Sequence, residues 1–170
     1  MDLMTILKVG GGVVAVAVAA TFLLPRNVEV TRSAVLAIQP DDVLTRAKST
    51  TGFQTFNPYR TADPDLKITP FGPESGIGAG FAFDGKGGKG TQTIAAITDT
   101  SVTYVIDMGA MGKPTQSITA TPTEGGTEVT WRVESDMGMN PVFRVFGLFM
   151  DPMMGPVFEQ GLANLEKTAA

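Results

Sequence analysis

The sequence predicts an α+β domain in which a curved antiparallel sheet of about seven strands wraps around one long C-terminal helix. Between Glu29 and Asp136 the chain reads as a strand, a short helix and then a series of short strands. After these strands, apolar residues recur every three to four positions, which is the period of a helix that buries one face. This apolar stripe consists of Phe143, Phe146, Met150, Met153, Met154, Val157, Phe158, Leu162 and Leu165. Strands followed by one late helix favour a sheet that curves around that helix and leaves a cavity lined by apolar side chains.

Local signals place the elements in order. Alternating apolar side chains from Val28 to Ile38 predict the first strand. Pro40 then begins a short helix, because its fixed φ suits a first turn and Asp41 and Asp42 favour the positive end of the helix dipole. An aromatic-rich loop or turn of helix follows at residues 53–59. Further strands are predicted at residues 66–68, 77–83, 91–97, 102–108, 117–122 and 128–134.

The closing helix is predicted from Pro141 to Lys167. Pro152 and Pro156 lie inside this segment and have no backbone N–H to donate. The sequence therefore predicts a kink or two consecutive helices.

Composition excludes several classes of function. A chain of 170 residues supports one domain. The net charge of −4 argues against nucleic acid as a partner, since a phosphate backbone requires a basic face. The chain has no cysteine and no histidine, so it lacks disulfides, thiolate metal sites, the commonest general base and the commonest metal ligand. These absences argue against most enzymes.

The first 26 residues predict an N-terminal membrane anchor, with the folded domain at residues 27–170. Leu3 to Leu24 is 22 residues long, or about 33 Å as a helix, and its only charge is Lys8 near one end. Two alternatives are a signal peptide cleaved after the small alanines and a buried core helix. The apolar run continues past those alanines and has no polar face, so both fit less well. Positive charge flanks both ends, so the side of the membrane that the domain occupies stays open.

Three patterns that can carry chemistry have simpler explanations. Gly85, Gly87 and Gly90 match the dinucleotide-binding spacing G-x-G-x-x-G, but a strand rather than a helix is predicted to follow them. They therefore indicate a hairpin.

Near pairs of carboxylates occur at Asp41/Asp42, Asp63/Asp65 and Glu134/Asp136. Capping and turn chemistry account for the first two pairs, and no metal or cofactor is predicted. Tyr104 is a weak catalytic candidate, because it faces the predicted interior, where a tyrosine is usually a packed ring.

The chain also resembles a known family along essentially its whole length. The stretches that carry the resemblance are residues 24–28 (LPRNV), 40–43 (PDDV), 53–59 (FQTFNPY), 72–79 (GPESGIGA), 88–90 (GKG), 126–131 (GTEVTW), 146–150 (FGLFM) and 155–165 (GPVFEQGLANL). They are similar to the START-like SRPBCC superfamily, which has the helix-grip fold, and within it to bacterial membrane-anchored polyketide cyclase/dehydrase-like proteins. The tryptophans usual in this family are replaced here by Phe53, Phe56 and Phe83.

The resemblance implies non-catalytic binding of a hydrophobic or lipid-like small molecule in an apolar cavity. The expected walls are Phe81, Phe83, Tyr104, Ile106, Trp131, Phe143, Phe146, Met150, Met154 and Phe158. Phe53, Phe56 and Tyr59 are expected to frame the entrance. Two alternatives stay open. In one, a polyketide cyclase or dehydratase uses Tyr104 to polarise a carbonyl. In the other, the interior is filled and the domain acts through protein contacts.

Overall fold

The structure, a computed structural model, describes residues 3–169, with side chains from residue 10 to residue 168. The helices are α1 (Leu3–Thr21), α2 (Pro40–Ala47), α3 (Thr50–Phe56), α4 (Pro58–Ala62), α5 (Pro141–Gly147) and α6 (Met150–Ala169). The strands are β1 (Asn27–Leu36), β2 (Lys67–Phe71), β3 (Gly80–Gly85), β4 (Gly88–Ile97), β5 (Ser101–Asp107), β6 (Thr115–Thr123) and β7 (Gly126–Asp136).

The seven strands form one antiparallel sheet in the order β1-β7-β6-β5-β4-β3-β2. Hairpins join β2 through β7 in succession, and β1 closes on β7 at the far side. A register shift between Ile94 and Ala96 marks a bulge in β4, and bulges bend a sheet locally. The predicted curved seven-stranded sheet with a long C-terminal helix is confirmed.

The core lies between the inner face of the sheet and helices α2, α3 and α6. From α6 it receives Phe158, Leu162 and Leu165, which are almost completely buried. From α2 it receives Val43 and Leu44. Two members of the predicted apolar stripe do not join it: Phe146 is 47% exposed and Met153 is 56% exposed. The helical period was correct, but Phe146 belongs to α5, before the break, and Met153 lies on a side of α6 away from the buried Phe158, Leu162 and Leu165.

The structure refines two local predictions. The aromatic segment after α2 is helical, because Ser49 caps α3 by accepting a hydrogen bond from the Gly52 N–H, and Asn57 caps α4 through the Tyr59 N–H. The predicted two consecutive helices are present as α5 and α6, but the break falls at residues 148–149 instead of at the prolines. Pro152 lies in the first turn of α6, where a missing N–H is tolerated, and Pro156 is accommodated inside the helix.

The predicted transmembrane helix is not found: within residues 3–169, no helix is both long and apolar enough to cross a membrane. Helix α1 ends at Thr21, three residues before the predicted end, and a turn follows. The membrane localisation of the chain stays a prediction.

Arg144 ties the end of α1 to the domain. Its guanidinium donates hydrogen bonds to the carbonyl oxygens of Phe22 (3.3 Å), Leu24 (2.8 Å) and Gly138 (3.0 Å). It also lies 5.5 Å from the centre of the Phe22 ring. Although charged, Arg144 is only 8% exposed, so these carbonyls replace its water. Residues 22–24 are therefore held against α5.

An ion pair between Arg26 and Asp136 clamps the start of β1 to the end of β7, with Nη2 and Oδ2 2.6 Å apart. The Arg26 hydrogen bond is the main cause that lowers the pKa of Asp136 from 3.8 to about 2. A carboxylate with a lowered pKa stabilises the fold above its ordinary pKa, and this contribution disappears as the pH falls toward the folded value. We expect the melting temperature of the wild type to fall more steeply than that of Asp136→Asn between about pH 4 and pH 2. Parallel melting curves for the two proteins across this range would contradict the clamp.

Candidate functional site

Six aromatic rings meet between the sheet and the helices. Phe53 is at their centre: its ring centroid lies 5.0 Å from that of Phe56, 5.5 Å from Tyr104 and 5.9 Å from Trp131. Phe81 lies 5.7 Å from Phe53 on the other side. A further ring, Phe158, stacks on Trp131 with centroids 5.3 Å apart and planes inclined by 10°. We call these six residues the aromatic cluster.

Helix α3, the inner face of the sheet and helix α6 together position the aromatic cluster. Phe53 and Phe56 are three residues apart on α3, so both project from one side of that short helix. Phe81, Tyr104 and Trp131 come from the inner face of β3, β5 and β7. Phe158 comes from α6 and reaches the indole because the neighbouring Gly161 has no side chain; a Cβ there would lie 2.4 Å from the Trp131 ring. The helix and the sheet are therefore in direct contact.

Within the part of the chain that the structure describes, the predicted apolar cavity is not present as an open space. The void beside the cluster measures about 10 Å³ and is lined by Ala47, Ser49, Thr50, Phe53, Ala79, Gly80, Phe81, Gln92, Ile94 and Tyr104. A buried water requires roughly 10–15 Å³, so this void holds one water at most. The prediction of a ready-made cavity is wrong for this structure, because the aromatic rings fill the space between helix and sheet.

The predicted site residues fall into three groups. Those buried in the core are Phe53, Phe56, Phe81, Tyr104, Trp131, Met150 and Phe158. Those half-buried are Phe83, Ile106, Phe143 and Met154. Those exposed are Tyr59 (39%) and Phe146 (47%). Phe53 and Phe56, expected at an entrance, lie in the centre of the core instead, because α3 is a helix that turns both rings inward.

Sequence analysis missed two buried glutamines on the inner face. Gln116 lies opposite Tyr104 in the β5–β6 pair, and Gln92 lies opposite Ile106 in the β4–β5 pair. They are only 2% and 6% exposed. The signal was present, since Gln92 alternates with the buried Ile94 and Gln116 with the buried Ile118.

Both glutamines carry donors without acceptors. The Nε2 atoms of Gln92 and Gln116 are buried and have no hydrogen-bond partner among the described residues, and the same holds for Nε1 of Trp131. A buried donor left unpaired costs about 1–3 kcal/mol. Such groups are few in folded proteins and indicate a missing water, ion or ligand. The inner face therefore has unsatisfied hydrogen-bonding capacity beside an apolar, aromatic surface.

Tyr104 is committed to a structural hydrogen bond. Its hydroxyl donates to the carbonyl oxygen of Ala47 at the end of α2, at 2.6 Å. Burial raises the pKa of this phenol far above its ordinary value. No Asp, Glu, Lys or Arg lines the void beside it. The cyclase hypothesis requires the Tyr104 hydroxyl to donate its proton to a substrate carbonyl. That hydroxyl already donates to the Ala47 carbonyl.

We expect Tyr104→Phe to lower the free energy of unfolding by about 1–3 kcal/mol, because the Ala47 carbonyl loses its donor in a dry environment. Urea denaturation monitored by circular dichroism measures this loss. Ser33→Ala removes a hydroxyl that bonds to Thr130 on the exposed side, and serves as the control. A Tyr104→Phe protein as stable as the wild type would show that the bond contributes nothing.

A second, larger depression lies on the surface between α3, α4 and the end of α6. It has a volume of about 300 Å³ and is lined by Gln54, Thr55, Asn57, Arg60, Thr61, Asn164, Lys167 and Thr168. Its lining is polar and it is open to solvent, so it does not match the apolar cavity predicted from the sequence.

Comparison with known proteins gives one family and several similar folds. The family described as "Polyketide cyclase / dehydrase and lipid transport" matches residues 27–170. No curated protein matches the chain at a significant level.

The solved structures below are all less than 25% identical to the chain, so they show the fold alone. The di-domain ARO/CYC protein StfQ from the steffimycin biosynthetic pathway is 12% identical with a TM-score of 0.62, over 84% of this chain and 50% of that one. Ara h 8.0201 is 14% identical with a TM-score of 0.58, over 82% and 97%. A hypothetical protein from Helicobacter pylori is 8% identical with a TM-score of 0.62, over 84% and 88%. The family match, which covers the whole domain, shows that the chain belongs to the polyketide cyclase / dehydrase and lipid transport family of the SRPBCC superfamily, as the resemblance predicted.

Proposed function

We propose that the domain binds an uncharged, largely apolar small molecule non-covalently in the space now occupied by the rings of Phe53 and Phe81. The observation that carries this proposal is the pair of buried, unpaired amide donors of Gln92 and Gln116 beside the aromatic cluster. A core that served only stability would be more stable with leucine at these positions, because no buried amide donor would then be left without an acceptor. The family supports the proposal, because its description includes lipid transport.

The donors define the chemistry of the ligand. An amide N–H requires an acceptor, and the void beside Gln92 has no charged residue in its lining that could neutralise a carboxylate or an amine. A buried unpaired charge is far more costly than a buried carbonyl. The ligand is therefore a neutral molecule with a carbonyl or hydroxyl oxygen at one end and apolar surface elsewhere.

The filled interior sets a lower limit on ligand size. Moving a fully buried phenylalanine out of a core costs about 3–5 kcal/mol, by analogy with its truncation. Burying apolar surface returns about 25 cal/mol per Å², so roughly 120–200 Å² of ligand surface offsets that cost alone. Binding with a Kd of about 1 mM, which is about 4 kcal/mol, raises the requirement to roughly 280–360 Å². Helix α3 carries Phe53 and is only seven residues long, so an outward shift of α3 opens the void. A molecule of two or more fused rings, or a comparable acyl chain, meets this limit.

One other function is favoured by a specific observation. A void of about 10 Å³ accepts no ligand without rearrangement, and this agrees with a filled domain that acts through its surface. The two functions differ in one respect that can be measured, namely whether the surroundings of Trp131 change when an apolar molecule is added.

The test uses two ligands that differ in one group: 2-acetylnaphthalene, which has a ketone oxygen, and 2-ethylnaphthalene, which does not. Trp131 is the single tryptophan of the chain, so its emission reports on the interior alone. We expect both molecules to change this emission at saturation, and the ketone to bind about tenfold more tightly, as one added hydrogen bond of about 1.4 kcal/mol requires. No change in emission and no heat of binding with either ligand would leave the surface-acting domain as the function.

The glutamines supply matched variants. We expect Gln92→Leu and Gln116→Leu to bind the hydrocarbon as before, to lose the preference for the ketone, and to unfold at a higher temperature because an unpaired donor has been removed. Gln160→Leu is the control, since Gln160 is exposed and bonds to Asn164 on the surface of α6. A fall in melting temperature for Gln92→Leu would mean that its amide is already satisfied in the unliganded protein, and would contradict the assignment.

A further inference from the structure

One end of the sheet gathers five chain segments. The register places the start of β1 beside the end of β7, and the start of β6 opposite Glu134 of β7. The turn between β3 and β4 and the end of β5 lie at the same end. The segments found there are residues 22–26, 63–66, 86–87, 108–114 and 137–140.

This end carries a group of large apolar side chains that face solvent. They are Leu23 (87% exposed), Met111 (55%), Met139 (69%), Val142 (69%), Phe146 (47%) and Phe149 (54%). Val142 and Phe146 are four positions apart on α5, so they lie on the same side of that helix, and Met139 and Phe149 flank its two ends. We call these six residues the docking face. Large apolar groups of this kind on a protein surface mark a site of contact with a protein or a membrane.

The connections at the opposite end of the sheet differ in their charged and apolar residues. Its connections, residues 37–39, 72–79, 98–100 and 124–125, contain Glu74, Asp99 and Glu124 and no lysine or arginine. Ile77 is their one exposed large apolar residue, at 65%. At the docking end Arg26, Lys86 and Lys113 are present, but each forms an ion pair, with Asp136, Asp63 and Asp107 respectively. The connections at the docking end thus carry ion-paired cations and exposed apolar side chains, whereas the connections at the opposite end carry carboxylates and no cation.

Helix α1 indicates what covers the docking face. Residues 9–20 contain only valine, glycine and alanine, and Val13, Val14, Val16 and Val18 are all more than 40% exposed. A helix that is apolar on every side requires apolar surroundings on every side. A single protein surface covers one side of a helix, whereas lipid surrounds it. Through the Phe22 and Leu24 carbonyls, Arg144 holds the end of this helix against α5, next to the docking face.

We propose that the docking face lies against a lipid bilayer, with Val142, Phe146 and Phe149 in contact with the lipid and the acidic end of the sheet turned away from it. This contact is made by the folded domain; it rests on α1 lying in lipid and does not require α1 to cross the whole bilayer. It is also independent of any ligand in the interior. Because Arg26, Lys86 and Lys113 at this end are all ion-paired, the apolar side chains supply the contact and anionic lipid is not required.

The test exploits the absence of cysteine from the chain. Single cysteines introduced as Val142→Cys and Phe149→Cys are labelled with an environment-sensitive fluorophore. Ile77→Cys is the matched control, because it replaces a similarly exposed apolar residue at the opposite end. The full chain is reconstituted with vesicles of phosphatidylcholine, alone or with phosphatidylglycerol. In both vesicles we expect labels at 142 and 149 to shift to the blue, to be quenched about twofold by spin-labelled lipid, and to resist quenching by iodide. The label at 77 should behave as in water.

Three results would overturn the proposal. The first is a full chain that does not sediment with either vesicle. The second is equal iodide quenching at positions 142, 149 and 77 in chain that is bound to vesicles. The third is protection from iodide at 142 and 149 without quenching by spin-labelled lipid, which would mean that protein covers the docking face.

Discussion

Trp131→Ala is expected to lower the free energy of unfolding by about 3–5 kcal/mol, a large part of the roughly 5–15 kcal/mol that keeps an ordinary domain folded. The indole is 1% exposed and contacts Phe53, Phe56 and Phe158 from three directions. Its removal leaves a cavity that the rigid surroundings cannot close. Guanidinium denaturation followed by circular dichroism measures the loss.

Phe149→Ala is the control for Trp131→Ala, because Phe149 is also a large aromatic residue but is 54% exposed. Its cost should stay below about 1 kcal/mol. If Trp131→Ala were no more costly than Phe149→Ala, the rings would not form the continuous packed cluster described above.

Gly161→Ala is expected to cost about 1–3 kcal/mol, although alanine is the better helix former. A Cβ at this position would lie 2.4 Å from the Trp131 ring, and the ring cannot yield because other rings enclose it. Helix α6 must therefore move away from the sheet. Gly11→Ala is the matched control: it also lies in a helix, but no atom lies within 4 Å of the added Cβ.

A double-mutant cycle separates this clash from other effects of Gly161→Ala. In a Trp131→Ala background the added methyl group meets no indole, so Gly161→Ala should become neutral or slightly stabilising. An equal cost in both backgrounds would place the strain elsewhere in α6.

The architecture was predictable because its signals are local. Alternation along each strand identified the sheet, and consecutive hairpins fixed its order without any long-range information. The three- to four-residue period identified α6, including its buried Phe158, Leu162 and Leu165. The helix break was placed wrongly, because proline near the start of a helix is tolerated and Pro152 falls in that first turn.

The interior was not predictable to the same degree. Whether a cavity remains between helix and sheet depends on how closely rings approach, and a single absent side chain, at Gly161, decides it. The sequence pattern of a core and of a pocket wall is the same, since both require apolar residues. Phe53 was assigned to an entrance because the pattern of residues 53–59 fits either a loop or a turn of helix, whereas α3 is a seven-residue helix, capped by Ser49, that buries Phe53.

The burial of the two glutamines could be predicted from the sequence pattern, but their lack of hydrogen-bond partners could not. Gln92 and Gln116 occupy inward positions in their strands, and a polar residue at such a position is more informative than another phenylalanine. That they lack partners, however, depends on the distances to every neighbouring acceptor. Only a three-dimensional structure supplies those distances.

Native mass spectrometry of the full chain, released under mild conditions from the cells that make it, tests the central claim most directly. The claim is that the aromatic interior opens for a neutral small molecule. It predicts a non-covalently bound, lipid-like mass on the wild type and on Gln160→Leu, reduced on Gln92→Leu and Gln116→Leu. The contradictory result is the mass of the chain alone, under spray conditions in which protein loaded beforehand with 2-acetylnaphthalene keeps its ligand.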